Sequence, residues 1–200
     1  MAGELFGAGA RALQDALGTR RLADAIAGYT MHDLLTDDDV ERIRSQSTVW
    51  LSTVDVDGWP DVSYKGGAVG FVEVVSPSEL RIPMYDGNGM QRTLGNIVDT
   101  GRVALLFIDT ARPWRMRIHG TATVSTSFTD TERHRGADAV VVVTPTRIFP
   151  NCGRYIHQEG QISEFVPDEH GQAPLPDWKR YEPLRPVLPE RDPRRLAAED

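Results

Sequence analysis

Apolar residues recur at helical spacing near the start of the chain and at strand spacing through its middle. Leu13, Leu17, Leu22 and Ile26 mark one or two short amphipathic helices from about Gly9 to Ala27, broken at Gly18-Thr19 and stopped at Gly28. Thr36, followed by Asp37, Asp38 and Asp39, is an N-cap with acidic charge in the first turn, opening a helix through Val40 and Ile43 to about Ser45. From Thr48 the period falls to two. Val49 to Val54 and Asp61 to Lys65 read as strands around an Asp57-Gly58 turn, and Phe71 to Val75 and Leu80 to Met84 as strands around Ser76-Pro77-Ser78.

Met90 to Asp99 returns to helical spacing, with Leu94, Ile97 and Val98 as its apolar positions. Val103 to Ile108 is an unbroken apolar run, the pattern of a strand buried on both faces. Arg115 to Val124 alternates instead: Met116, Ile118, Gly120, Ala122 and Val124 share one face, and Arg115, Arg117, His119, Thr121 and Thr123 the other. Asp130 to Arg135 reads as a polar or helical insertion, and Ala139 to Val143 as a buried strand continuing toward Phe149. After Pro167 the chain is rich in proline and charge, and its last dozen or so residues are expected to be extended or disordered.

Short strands joined by hairpin turns, without regular crossover helices, predict an antiparallel barrel in a mostly β (α+β) domain rather than a doubly wound sheet. Three segments follow: a helical arm over 1–46, a barrel domain over 47–166 and a proline-rich extension over 167–200. The 200 residues, 40% of them hydrophobic, suffice for one core. A formal charge of -7 argues against nucleic acid as a partner. Every long apolar run is cut by Gly, Pro or charge, so no membrane span is expected. Cys152 is the only cysteine, which excludes an intrachain disulfide and points to a reducing, cytoplasmic setting.

Against that acidic background the block from Tyr64 to Gly120 collects Lys65, Arg92, Arg115 and Arg117 beside Gly66-Gly67 and the loop Tyr85-Asp86-Gly87-Asn88-Gly89-Met90-Gln91. A flavin mononucleotide (FMN) site needs cations for a phosphate, polar groups for the pyrimidine edge and apolar cover for the ring. Lys65 and Arg92 are candidates for the first, Asn88, Gln91 and Asn96 for the second, and Tyr64, Met84 and Tyr85 for the third. Composition and spacing alone are equally met by ordinary turn glycines and solvated arginines. The five histidines are scattered, without metal-ligand spacing, and no metal is expected.

The segments Asp57-Gly58-Trp59-Pro60-Asp61-Val62-Ser63-Tyr64-Lys65-Gly66-Gly67, Tyr85-Asp86-Gly87-Asn88-Gly89-Met90, Leu94-Gly95-Asn96-Ile97 and Val103-Ala104-Leu105-Leu106-Phe107-Ile108-Asp109 resemble the pyridoxamine 5'-phosphate oxidase-like family of FMN-binding split barrels. The resemblance runs from about Arg11 through Phe149-Pro150-Asn151-Cys152-Gly153-Arg154-Tyr155-Ile156-His157 to Pro176-Asp177-Trp178-Lys179. It implies a six-stranded split barrel with flanking helices, a homodimer, and FMN at the subunit interface. It places the phosphate on Ser63, Lys65, Gln91 and Arg92, and a contact from the partner subunit on Arg115, with Arg117 beside it. Trp178 is a further candidate to cover the ring. The Arg-x-His segment with which the true oxidase holds its substrate is missing from the proline-rich end, so that particular reaction is not expected.

The resulting expectation is an FMN-dependent oxidoreductase acting on a small molecule, with no catalytic residue assigned. The deazaflavin F420 is the alternative cofactor, with Arg112 and Arg133 extending a basic groove. A non-catalytic flavin or haem binder, using His119 or His157 as an axial ligand, is the alternative of a different class.

Overall fold

The computed structural model describes residues 5–192 and divides into two compact units, His32–Gly153 and the pair of segments Met1–Met31 with Arg154–Asp200. The first unit holds the sheet. Its helix α3 (Asp37–Arg44) starts where the sequence places it, because Thr36 and Asp39 form a reciprocal capping box. The Asp39 amide donates to Thr36 Oγ1 at 3.2 Å, and the Thr36 amide and hydroxyl donate to Asp39 Oδ2 at 2.9 and 2.7 Å. His32 Nε2 lies 2.7 Å from the same oxygen. Thr36→Ala is expected to cost about 1 kcal/mol, which thermal unfolding reads as a fall of roughly 2–4 °C for a chain of this size.

Seven strands follow: β1 (Thr48–Val54), β2 (Pro60–Gly66), β3 (Glu73–Ser76), β4 (Glu79–Tyr85), β5 (Arg102–Asp109), β6 (Trp114–Ser125) and β7 (Ala137–Asn151). They form one antiparallel sheet in the order β2-β1-β5-β6-β7-β4-β3. The expected six-stranded barrel is corrected on two counts. A seventh strand is present, and the sheet is not closed, since β2 and β3 stand at its two edges with one strand neighbour each. Strand β7 is the reason the order runs on: its 15 residues pair with β6 along one edge and with β4 along the other.

Helices α4 (Arg92–Thr100) and α5 (Phe128–Arg133) complete the unit. Alternation sets the core: Val49, Leu51, Leu80, Ile82, Leu105, Phe107, Met116, Ile118, Val141 and Val143 are buried against Ile43 and Ile97. Strand β5 alternates between buried and half-buried residues rather than being enclosed on both faces, because only one face of the sheet meets this core. Gly120 sits at a register shift between β6 and β7, where its α-carbon passes against the Thr144 carbonyl.

In the second unit, α1 (Ala8–Ala16) and α2 (Arg20–Thr30) are separated by Gly18, whose φ of +64° ends the first helix. Gly28 does not stop α2, which runs on to Thr30 because Gly costs only about 1 kcal/mol inside a helix. Leu22 packs with Leu184 of the 3-10 helix Glu182–Val187 and with Leu188 just after it, and Trp178 stands on a neighbouring 3-10 helix, Asp177–Arg180. Most of the terminal stretch expected to be extended or disordered lies outside the described residues. No helix among the described residues is long and apolar enough to cross a membrane.

Candidate functional site

Strand β2, the end of β4 with the loop after it, and the start of α4 line a pocket of about 290 Å³. Strand β2 alternates, so Asp61, Ser63 and Lys65 turn one way and Val62 and Tyr64 the other. The first three line the pocket together with Met84, Tyr85, Asn88, Gln91, Arg92, Thr93 and Asp138. Gly89, with φ of +74°, and Gln91, with φ of +51°, bend the loop back onto the helix. Gln91 is the single described non-glycine residue in that left-handed region, a conformation that costs energy and that the surrounding fold must hold.

The charged residues lining the pocket are Lys65 and Arg92 with Asp61 and Asp138. Burial holds the Lys65 ammonium below the ordinary lysine value, and the Asp61 carboxylate offsets part of that effect. Ser63 Oγ lies 3.2 Å from Thr93 Oγ1, and both residues line the pocket with Lys65. Among the described residues no side chain caps α4, which leaves the N–H groups of its first turn at the pocket wall. Arg92 stands 3.6 Å from an Asp55 oxygen and 3.7 Å from an Asp61 oxygen, within Coulombic reach but beyond a good hydrogen bond. Asn88 Oδ1 accepts the Met90 amide at 3.1 Å and so shapes the loop.

Of the residues singled out from sequence, Ser63, Lys65, Met84, Tyr85, Asn88, Gln91 and Arg92 therefore line one cavity. Tyr64 lies on the opposite face of β2, edge-on to Trp50 with ring centroids 5.5 Å apart. Asn96 is buried and donates to Thr53 Oγ1 at 2.9 Å, tying α4 to β1. Arg115 and Arg117 project from β6 on the side of the sheet away from the core. Trp178 belongs to the other unit, where the Arg154 guanidinium and the Lys179 ammonium lie 5.9 and 5.8 Å from its ring centre.

Three polar residues of the pocket, Asp61, Thr93 and Asp138, were not among the candidate site residues. Asp61 was legible in principle, since it shares the alternation of Ser63 and Lys65. Thr93 falls on the first turn of α4, and its place became readable only with the helix start at Arg92. Asp138 comes from β7, next to the Met84–Ala139 pair, a juxtaposition that only the long-range pairing creates.

A second cleft, of about 630 Å³, lies between α3 and the β5–β6 turn. Its arginines are already matched by acids. Arg42 Nε bonds Asp38 Oδ2 at 2.6 Å with its guanidinium 5.0 Å from the Trp114 ring centre, and Arg112 faces Asp109 at 3.7 Å.

The model of a family described as pyridoxamine 5'-phosphate oxidase matches residues 35–152. Among solved structures, HupZ of Group A Streptococcus is 22% identical, covering 58% of this chain and 94% of its own, with a TM-score of 0.48. An FMN-binding protein from Syntrophomonas wolfei is 12% identical, covering 70% of this chain and 97% of its own, with a TM-score of 0.42. HutZ, the haem storage protein of Vibrio cholerae, is 17% identical, covering 57% and 94% respectively, also with a TM-score of 0.42. None of the curated proteins matches the chain.

Proposed function

This chain belongs to the pyridoxamine 5'-phosphate oxidase family, and on that premise we propose that it is an FMN-binding oxidoreductase acting on a small molecule. The observation that carries the reading is the convergence of a half-buried amine, two hydroxyls and an uncapped helix start on one small cavity. A phosphate monoester near charge -2 takes hydrogen bonds from all three kinds of donor. Lys65 and the first-turn amides of α4 would hold its oxygens, Ser63 and Thr93 would add hydroxyl contacts, and Arg92 would turn from its two long carboxylate contacts toward it. When bound, FMN supplies the redox chemistry, and the chain's own part is to bind, orient and shield it.

The cavity's volume supports a second element of the reading. At about 290 Å³ it stands at the lower edge of ligand pockets, which run from roughly 300 to 1,000 Å³. It suits the phosphate and its linker, with Met84 and Tyr85 at the rim, and the tricyclic ring needs a further wall. A second copy of the chain would supply that wall, making a homodimer. The face of β1 and β2 that bears Trp50, Val62 and Tyr64 is 40%, 61% and 56% exposed at those residues, an apolar patch of the kind that copies bury. Arg115 on the same side of the sheet is then the candidate to reach the partner's cofactor.

F420 and haem are less well supported. A longer anionic tail would run past Asp61 and Asp138, which line the pocket. His119, the candidate axial ligand on β6, is not among the residues of that pocket. The lone Cys152 and the flavin reading together favour a cytoplasmic setting.

Titrating the cofactor-free protein into FMN should quench flavin fluorescence at about one flavin per chain and give a yellow protein whose visible bands bleach with NADH, NADPH or a reduced substrate. Unquenched fluorescence would remove the cofactor assignment. Binding without bleaching under any donor would remove the oxidoreductase.

A further inference from the structure

Strand β2 turns Asp61 to the same side as Ser63 and Lys65, so a carboxylate stands in the wall that would hold a phosphate. The charged residues of that wall are two cations, Lys65 and Arg92, and two acids, Asp61 and Asp138 of β7; Tyr85 is its remaining titratable group. The pocket is therefore balanced in formal charge before any ligand enters.

Asp61 is the acid set against both cations. Its Oδ1 lies 3.7 Å from Arg92 Nε, and its charge acts on the Lys65 ammonium, opposing the effect of burial there. Asp55 Oδ2 lies 3.6 Å from the same guanidinium, but Asp55 has another task. Its Oδ1 accepts the Asp57 and Trp59 amides at 3.1 and 2.9 Å and so shapes the turn between β1 and β2. Among the described residues, no hydrogen bond holds the Asp61 carboxylate in a comparable way.

The fold brings Arg92 to this acid. Asn96 donates to Thr53 Oγ1 and the Thr100 hydroxyl donates to the Val54 carbonyl, each at 2.9 Å, which ties α4 to β1. Thr53 is the register partner of Asp61, and Arg92 is the first residue of the helix so tied. At 3.7 Å the pair has Coulombic attraction without a good hydrogen bond, so a phosphate oxygen can take the guanidinium from it. That oxygen carries charge of the same sign as the carboxylate it displaces. The resulting opposition is graded: an uncharged ligand meets none, and a dianion meets more than a monoanion.

Resting on the FMN reading of this pocket, we propose that Asp61 is a specificity-determining residue: as the built-in counter-ion of Lys65 and Arg92, it makes the pocket select by ligand charge and cancels the gain available from the second negative charge of a phosphate monoester. In the free protein the same carboxylate keeps the two cations compensated. Its presence lowers affinity for the phosphate while leaving the rest of a flavin unaffected.

The test is a fluorescence titration of FMN and of riboflavin with the cofactor-free full chain, as parent, Asp61→Asn and Asp61→Glu, on either side of the second phosphate ionisation near pH 6, at about pH 5.5 and 7.5. Asp61→Asn should tighten FMN by about tenfold at the higher pH and by less at the lower, and should leave riboflavin unchanged. Asp61→Glu keeps the charge and should show no such gain; Asp61→Ser replaces Asn should that variant fail to fold. FMN affinity that falls or stays level in Asp61→Asn, an equal gain for riboflavin, or an equal gain in Asp61→Glu overturns the proposal and assigns Asp61 to the shape of the wall. Failure of the FMN reading looks different, since neither parent nor variant would then quench FMN. The charge role is in that case read with inorganic phosphate as the probe and the Thr93 amide as the NMR signal. A saturable shift that is tighter in Asp61→Asn upholds the role and removes only the flavin, whereas no shift, or one of equal affinity in both proteins, overturns the role as well.

Discussion

Lys65→Met is expected to weaken FMN binding by about 10- to 150-fold while leaving the free protein at least as stable as before. The first part follows from removing a charge-assisted hydrogen bond worth roughly 1.5–3 kcal/mol in a setting partly shielded from water. The second follows from the direction of the Lys65 shift. Its folded-state affinity for a proton is below the unfolded value, so in the window between the two the unfolded chain holds more protons and stability rises with pH. Below that window the buried charge is a net cost to the fold, and methionine removes the cost. Fluorescence titration and thermal unfolding of the same variant therefore separate ligand recognition from folding. A variant that binds FMN as tightly as the parent places the phosphate elsewhere. A variant that loses both binding and stability reassigns Lys65 to the structure.

The same shift predicts a pH dependence of binding. The ammonium is lost as pH rises through its lowered value, so FMN affinity should fall earlier in the alkaline range than an exposed lysine would allow, and bound phosphate should move that fall upward. Lys65→Arg should displace it to higher pH still, since guanidinium keeps its charge.

Gly120→Ala is expected to be the most damaging single methyl in the sheet. A β-carbon at Gly120 would lie 2.4 Å from the Thr144 carbonyl oxygen and 3.3 Å from the Pro145 α-carbon, both of them backbone atoms that cannot rotate away. Overpacking of this kind costs about 1–3 kcal/mol, and because it sits where β6 and β7 shift register, the upper end applies. Thermal unfolding should show a fall of roughly 5–10 °C for a chain of this length. A change of less than about 2 °C would mean that the two strands separate at this point with little resistance. Gly136→Ala, at a turn with open space around it, controls for the methyl group, although its φ of +83° still carries a backbone cost.

Strand alternation and turn chemistry made much of this legible in the sequence, because they act locally. The capping box at Thr36 and Asp39, the Asp57-Gly58 turn and the two faces of β6 are all properties of a few adjacent residues. Seven strand segments were legible, but their order and the open edges of the sheet were not. They depend on β7 continuing through Pro145 and Pro150, where proline ordinarily argues against a strand, and on its having two partners at once. In the pocket, Ser63 and Lys65 followed from β2 alone. Asp138 did not, since its position depends on pairing between Met84 and Ala139. The charge on β6 was visible in the alternation of Arg115, Arg117 and His119, whereas Arg147 joins it only through the cross-strand register.

That register also dictates an order of events during folding. The β1–β2 hairpin forms from neighbours, but β1 must wait for Leu106 to meet Trp50, and β4 for Val143 to meet Leu80. Closing loops of that size before any contact rewards them is slow. On a chain emerging from the ribosome, the β3–β4 hairpin therefore stands without its inner neighbour until β7 has been made. Met84 and Tyr85 gain their position beside Asp138 at the same late moment, so the walls of the pocket come together only as the sheet is completed, and any cofactor it accepts arrives after the chain has folded rather than guiding it there.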